Sequence, residues 1–244
     1  MPVVKLIIEY DGTGYAGWQR QPDRPTIQEA VETAITGITQ ITVPVIAAGR
    51  TDAGVHALGQ VASFRIDRDM TPRQWTRALN AHLPESIAVQ SAAIMPDAFH
   101  ARYSAKGKLY EYRILNRPER PTVDRHACWH IHKPLNDDAM NQAALALIGK
   151  HDCSSFETQP TDNEDPVCHI QRLAVIRHGN ELRIEAYADR FLKQMVRSIV
   201  GTLVEVGLGK RPPEEFHSII SARNRSAAGK TAPPQGLFLI RVDY

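Results

Sequence analysis

The sequence predicts an α+β protein: two ferredoxin-like halves sharing one mixed, mostly antiparallel sheet, with helices packed on one face. Short β-branched segments alternate with amphipathic helical stripes along the whole chain. Neighbouring strands are joined by hairpin turns where a parallel βαβ sheet would need helical crossovers. The second half repeats the first half's order of elements. A length of 244 residues suits two modest domains, and the boundary is placed at 1–104 against 105–244.

Val3 to Tyr10 alternates and is β-branched, so it reads as a strand. A helix is expected after Pro25, capped by Thr26 with Glu29 completing the capping box. Its buried stripe is Ile27, Ala30, Val31, Ala34, Ile35 and Ile38. Gln60 to Ile66 is the next strand. Thr71 then caps a helix with Pro72 at its first position, running to about His82. Ile87 to Ile94 and Leu109 to Leu115 are further strands, followed by a polar connection marked by Pro118 and Pro121.

In the second half, Asn136 caps a helix expected to reach Ile148 and stop at Gly149. Ile170 to Arg177 and Leu182 to Ala188 are strands joined at His178-Gly179-Asn180, a hairpin turn. Leu192, Met195, Val196, Ile199, Val200, Leu203 and Val204 form an unbroken helical stripe. Pro212 and Pro213 open a short helix, and Leu237 to Val242 closes the chain as a strand.

Composition narrows the function classes. At 43% hydrophobic and 23% charged residues the chain can build a core and is not predominantly disordered. No apolar run approaches the roughly 20 residues of a membrane span, and Met1 to Tyr10 lacks a signal peptide's cleavage pattern. The three cysteines Cys128, Cys153 and Cys168 imply no disulfide framework. A cytoplasmic protein is expected. The net charge is only +2, but Arg102–Arg125 carries seven basic residues against three acids and Arg190–Lys230 eight against three. Glu157–Asp165 carries four acids and no base. Concentrated basic segments suggest a polyanion-binding face; solvated helix faces would account for the same charges.

Three clusters could carry chemistry. Gly12-x-Gly14-x-x-Gly17 has dinucleotide-binding spacing, yet the following helix starts only at Thr26, so it cannot present its N-terminus to a pyrophosphate. A glycine-permitted turn presenting Tyr15, Trp18, Gln19 and Arg20 is the better reading. Cys128, His130 and His132, with His151 and Cys153, could suggest a metal, but the usual ligand spacings are absent and a strand explains the alternation. The segment Gly49-Arg50-Thr51-Asp52-Ala53-Gly54-Val55-His56-Ala57 brackets an acid, an arginine and a histidine between glycines. That permits close backbone approach to a ligand and lifts Asp52 out between regular elements. On composition alone an ordinary Asp-containing turn is the better explanation.

The strings GRTDAGVHA, YDGTGYAGWQRQ and FLKQMVRSIVGTL closely resemble the tRNA pseudouridine synthase I family. FHARYSAKGKLYEYRI, GKHDCSSF and GLFLIRVDY match in the same order, so the resemblance spans the chain. One departure is Cys153 in HDC, where the family more usually has Phe; it is an apolar exchange. The resemblance implies RRM-like halves, no cofactor and no metal. It implies isomerisation of uridine to pseudouridine in the tRNA anticodon arm (positions 38, 39 and 40), and a homodimer.

Such chemistry needs an ionised carboxylate at the sugar, acting as nucleophile at C1′ or base at C2′. Asp52 matches the family's essential aspartate, and Arg197, in the MVR string, is expected to be its cationic partner. Tyr110 matches the tyrosine whose ring stacks on the flipped base and whose hydroxyl can transfer a proton; as a bare strand position it reads as one more aromatic beside Tyr112. Leu237 would wall the pocket, Thr51 and His56 would line the substrate site, and Arg50 would hold or replace the extruded nucleotide. Arg20, Arg102, Lys106, Lys108, Arg190 and Lys193 would contact phosphates. A catalytically silent RNA-binding or tRNA-folding module is the alternative from another class; it would need none of Asp52, Tyr110 and Arg197.

Overall fold

The computed structural model describes residues 1–161 and 165–244; Asp162 and Glu164 of the acidic stretch lie outside the described residues. The chain divides into two compact units, Met1–Lys106 with Phe238–Tyr244, and Gly107–Leu237. The closing strand, which chain order assigns to the second half, thus groups with the first.

The first unit contains β1 (Val3–Tyr10), α1 (Ile27–Thr39), β2 (Ile46–Ala47), β3 (His56–Arg65), α2 (Pro72–His82) and β4 (Ile87–Met95). β1 lies between β3 and β4, antiparallel to both, and β2 is antiparallel to β3 on its other edge. The order β4-β1-β3-β2 with helices after the first and third strands is the ferredoxin-like arrangement. Alternation along β1 buries Val4, Leu6, Ile8 and Tyr10. Above that face, α1 contributes Ile27, Val31 and Ile35, and α2 contributes Trp75 and Leu79. The Trp75 ring meets Phe64 edge-on at 5.3 Å.

The caps differ in one detail from the sequence reading. Thr26 accepts the Glu29 N–H at 3.4 Å, but among the described residues the Glu29 side chain makes no return bond. The reciprocal box forms at α2, between Thr71 and Gln74.

The second unit runs β5 (Gly107–Asn116), β6 (Trp129–Ile131), α3 (Asp137–Leu145), β7 (Gly149–Asp152), β8 (Val167–His178), β9 (Glu181–Ala188), α4 (Met195–Gly207) and α5 (Glu215–Ala222). Its strands lie in the order β5-β9-β8-β7, all antiparallel, with β6 parallel to β5. The β8–β9 hairpin turns where predicted, with Gly179 at φ 59°. The α+β class and mixed, mostly antiparallel pairing therefore hold in each unit. β10 (Leu237–Asp243) pairs parallel with β3 through Phe238↔His56 and Leu239↔Ala57.

Several boundaries move: β8 starts at Val167, not Ile170, and α4 starts at Met195, after Leu192. β3 starts at His56, not Gln60, so the glycine-bracketed segment ends inside a strand. α3 stops at Leu145 because the Ala146 N–H reaches back to the carbonyls of Ala143 and Ala144, tightening the last turn.

α4 is buried on nearly every side, and the segment Gly229–Pro233 lies against it. Gly201 makes that possible: a Cβ there would stand 1.6 Å from the Lys230 carbonyl oxygen. Gly201→Ala should therefore destabilise by about 1–3 kcal/mol or more through backbone displacement, read as a lowered denaturant midpoint with an unchanged slope.

Candidate active site

In the first unit, Asp52 sits on the connection between β2 and β3. The loop turns tightly, with the Val55 N–H donating to the Asp52 carbonyl at 3.2 Å and Gly54 at φ 76°. Asp52 itself is half-buried, while its neighbour Thr51 points inward. The Thr51 hydroxyl shares a 2.8 Å hydrogen bond with the buried Tyr10 hydroxyl. Gln60 Nε2 donates to Tyr10 at 3.4 Å and to the Gly49 carbonyl at 2.8 Å. Tyr10 and Gln60, neither of them singled out from sequence, thus tie the first half of the loop, Gly49 and Thr51, to strands; their shared inward parity on β1 and β3 was the available signal.

The glycine-rich turn after β1 holds the loop from the other side. The Trp18 N–H donates to the Thr51 carbonyl at 3.0 Å, and the Gly54 N–H to the Tyr15 carbonyl at 3.3 Å. A Cβ on Gly17, whose φ is 98°, would stand 2.6 Å from the Thr51 oxygen; one on Gly12 would stand 2.1 Å from the Val55 oxygen. The spacing that mimics a dinucleotide fingerprint is an accommodation between two backbones. No helix opens at Gly17; α1 begins ten residues later, at Ile27.

His56 is buried, its ring stacked on Phe238 at 4.7 Å, and its Nδ1 accepts the Gly12 N–H at 3.1 Å. Asp11 Oδ1 lies 3.1 Å from the same nitrogen and also accepts the Thr13 N–H. These contacts make His56 a latch between the turn and β3. Arg50 is exposed.

In the second unit, Tyr110 on β5 is buried and packs edge-on against Phe191 at 5.1 Å. Arg197 lies in the first turn of α4. Its Nε donates to the Ala232 carbonyl at 2.8 Å, and its own carbonyl accepts the Ala232 N–H at 3.0 Å. Beside it the Tyr112 hydroxyl donates to the Pro233 carbonyl at 2.7 Å. Burial pushes the Tyr112 phenol well up, an effect the Arg197 charge opposes. The guanidinium is therefore fixed by backbone, with Ala232 and Pro233 as supports that no sequence pattern announces. Leu237 opens β10 and is buried.

The candidate phosphate contacts fall into two groups. Arg20 is committed to Glu32 at 2.8 Å, Arg190 to Asp165 at 3.3 Å, and Lys193 Nζ donates to the Pro160 carbonyl at 2.8 Å. Arg50, Arg102 and Lys106 are exposed and, among the described residues, enter no ion pair. Lys108 is half-buried on β5.

Among the described residues no group of three or more His, Cys, Asp and Glu is placed to hold a metal ion. His130 is bonded to the Arg117 carbonyl at 2.8 Å and Cys128 donates to the Asp124 carbonyl at 3.3 Å, on and beside strand β6. No helix among them is long and apolar enough to cross a membrane. An open depression of about 590 Å³ beside the end of α4 is lined by none of the assigned residues.

Sequence comparison gives the family. The family model described as tRNA pseudouridine synthase matches residues 6–104 and 143–244, and the chain belongs to that family. A tRNA pseudouridine synthase A of Rhodopseudomonas palustris is 46% identical over 245 residues, covering 100% of both chains. Proteins of the same name from Allorhizobium ampelinum and Thermoanaerobacter sp. are each 45% identical, covering 95% and 99% of the relative. Tyr110 lies in the stretch the family model leaves out, which the full-length relatives span.

Burial pushes the Tyr10 phenol up to about 12, against the smaller lowering effect of its bonds to Thr51 and Gln60. The unfolded chain ionises this tyrosine near pH 10, so the stabilising effect is complete below that and is lost as pH rises toward 12, at about 1.4 kcal/mol per unit. Tyr10→Phe should cost about 1–3 kcal/mol at neutral pH. The gap to wild type should then shrink between pH 10 and 12 in paired denaturant titrations.

Proposed function

We propose that the protein isomerises uridine to pseudouridine in tRNA, with Asp52 as the reacting carboxylate. The observation that carries this is a single acid on a glycine-bracketed loop whose backbone is braced on both sides, within a chain that matches the family end to end. In the reaction the N1–C1′ bond breaks, the uracil turns, and C5 bonds to C1′. The proton lost from C5 is balanced by one gained at N1. Neither an oxidant nor water enters the sum, and we assign no cofactor and no metal.

Asp52 attacks C1′ or removes the C2′ proton. Tyr110 presents its ring to the flipped base and its hydroxyl to the departing proton. Arg197 supplies the positive charge that keeps the carboxylate ionised when bound RNA excludes water. Leu237 walls the base, and Thr51 and His56 shape the loop that meets the substrate. The target nucleotide in an A-form arm is unreachable until extruded; Arg50, exposed beside Asp52, holds or replaces it. Arg102 and Lys106 take phosphates, joined by Lys193 and Arg20 where their present partners release them. The anticodon arm as target, a homodimer as the working form and the cytoplasm as location belong to the same reading, and rest on the family resemblance.

A silent RNA-binding module is separated from this by one substitution. Asp52→Asn is nearly isosteric, so fold and tRNA affinity should persist, while release of tritium from C5-labelled tRNA should cease. Release at the wild-type rate from the folded, tRNA-bound variant refutes the assignment.

Arg197→Met should cut turnover at pH 7 by at least a hundredfold and leave tRNA affinity within a few-fold. Activity should recover in part as pH rises, because without the cation the carboxylate must lose its proton to bulk base. Wild-type turnover at neutral pH would remove Arg197 from the mechanism.

A further inference from the structure

The turn after β4 carries a feature that the reaction leaves unused. Tyr103 is 78% exposed, among the most exposed large apolar side chains of the protein. Its ring rests on the His100 imidazole at 4.3 Å with 31° between planes, and the Arg102 guanidinium carbon lies 5.8 Å from its centroid.

The backbone beneath is rigidly built. His100 Nδ1 accepts the N–H groups of both Arg102 and Tyr103, at 3.1 and 3.2 Å. The His100 N–H donates to the Ser104 hydroxyl at 3.1 Å, and the Ser104 N–H returns to the His100 carbonyl at 2.9 Å. Below, Phe99 packs on Tyr244 at 5.0 Å, and the Tyr244 hydroxyl donates to the Ala101 carbonyl at 2.7 Å. Phe99 and Ala101 thus anchor inward while Tyr103 is held outward.

A phenol fixed in water on a preformed turn loses little further freedom when a planar partner arrives. Ala101, two residues before Tyr103, shares a buried cluster with Ala48, four residues before Asp52. The platform and the aspartate loop therefore stand on one piece of core. The two cations nearest in sequence, Arg102 and Lys106, are exposed and, among the described residues, enter no ion pair. Aromatic surface flanked by cations suits a base with its phosphates better than an apolar peptide.

We infer that Tyr103, backed by His100 and flanked by Arg102, is a stacking platform for one unpaired nucleotide of the RNA, outside the site of isomerisation. This rests on the function proposed above only in naming RNA as the ligand. His100 is a positioning residue: it orients Tyr103 without touching the base.

The test compares wild type, Tyr103→Ala, Tyr103→Trp and His100→Ala in two assays. One is fluorescence-anisotropy binding of an eight-nucleotide uridine oligomer and of the same oligomer with abasic residues. The other is kcat and KM for pseudouridine formation in tRNA transcript. Tyr103→Ala should weaken uridine-oligomer binding by about 5- to 100-fold, the range expected for one lost base stack, and leave abasic binding within twofold. It should raise KM for tRNA with kcat within twofold. Tyr103→Trp should restore both values; His100→Ala should show a smaller loss of the same kind.

Equal binding of both oligomers by wild type and Tyr103→Ala, with an unchanged KM, overturns the platform. So does a Tyr103→Ala loss that is equal for abasic and intact oligomers, since that is a charge or folding effect. Absence of pseudouridine formation by wild type would strike at the proposed function and leave the oligomer comparison readable.

Discussion

The close approach of two backbones, the turn after β1 and the loop before β3, is the constraint on which the shape of the Asp52 loop depends. Neither segment has regular structure to hold it. Each borrows its shape from the other, through the bonds Trp18 to Thr51 and Gly54 to Tyr15. Such pairing needs the chains closer than side chains allow, and Gly12 and Gly17 meet that need. Loops fixed in this way can present a carboxylate in a defined direction without fully burying it. The Tyr10–Thr51–Gln60 hydrogen bonds then close the arrangement from the sheet side.

The second unit uses the same device for a cation. Gly201 lets the segment Gly229–Pro233 lie directly on α4, where it takes the Arg197 guanidinium on the Ala232 carbonyl. A long flexible side chain would otherwise lose considerable rotamer entropy on being held in one geometry. Here backbone groups, themselves fixed by Gly229 bonding to Thr202 and by Tyr112 bonding to Pro233, bear that cost before substrate binds. Asp52 thus stands on irregular backbone, while Arg197 stands on a helix and bonds to irregular backbone; glycine contacts brace both irregular segments.

Long periodic elements were legible in the sequence because burial on one face imposes a period. β1, α1, α2, β5, β8, β9 and α4 all fall near their expected places for that reason. β2, at two residues, and β7, at four, carry too few positions to express a period and were missed. The end of α3 moved because a local hydrogen-bond choice at Ala146, not hydrophobicity, sets it. For the site, the composition of Gly49–Ala57 marked Asp52 but could not separate it from an ordinary turn; its proposed role rests on the family resemblance. Tyr10, Gln60, Ala232 and Pro233 stayed invisible because their roles are hydrogen bonds between residues up to 121 positions apart in sequence. Tyr103 carries no sequence signal of its own: it lies between Arg102 and Lys106, and exposure is not written in sequence.

Charge counts along the chain misstate the field an RNA meets. The segment Arg190–Lys230 holds the largest local excess, yet Arg211 is spent on Glu205 and Glu215, with its pKa raised chiefly by the hydrogen bond to Glu205. Arg223 pairs with Asp152, and Arg190 with Asp165. Those acids lie partly outside the segment, so a window along the sequence counts the cation and omits its partner. In the first unit Arg50 and Arg102 both face solvent, and among the described residues neither enters an ion pair. Counterion release on phosphate binding depends on cations that are accessible and not already neutralised. The positive charge that matters for a polyanion is thus set by which arginines folding leaves exposed and outside ion pairs, not by the sequence profile.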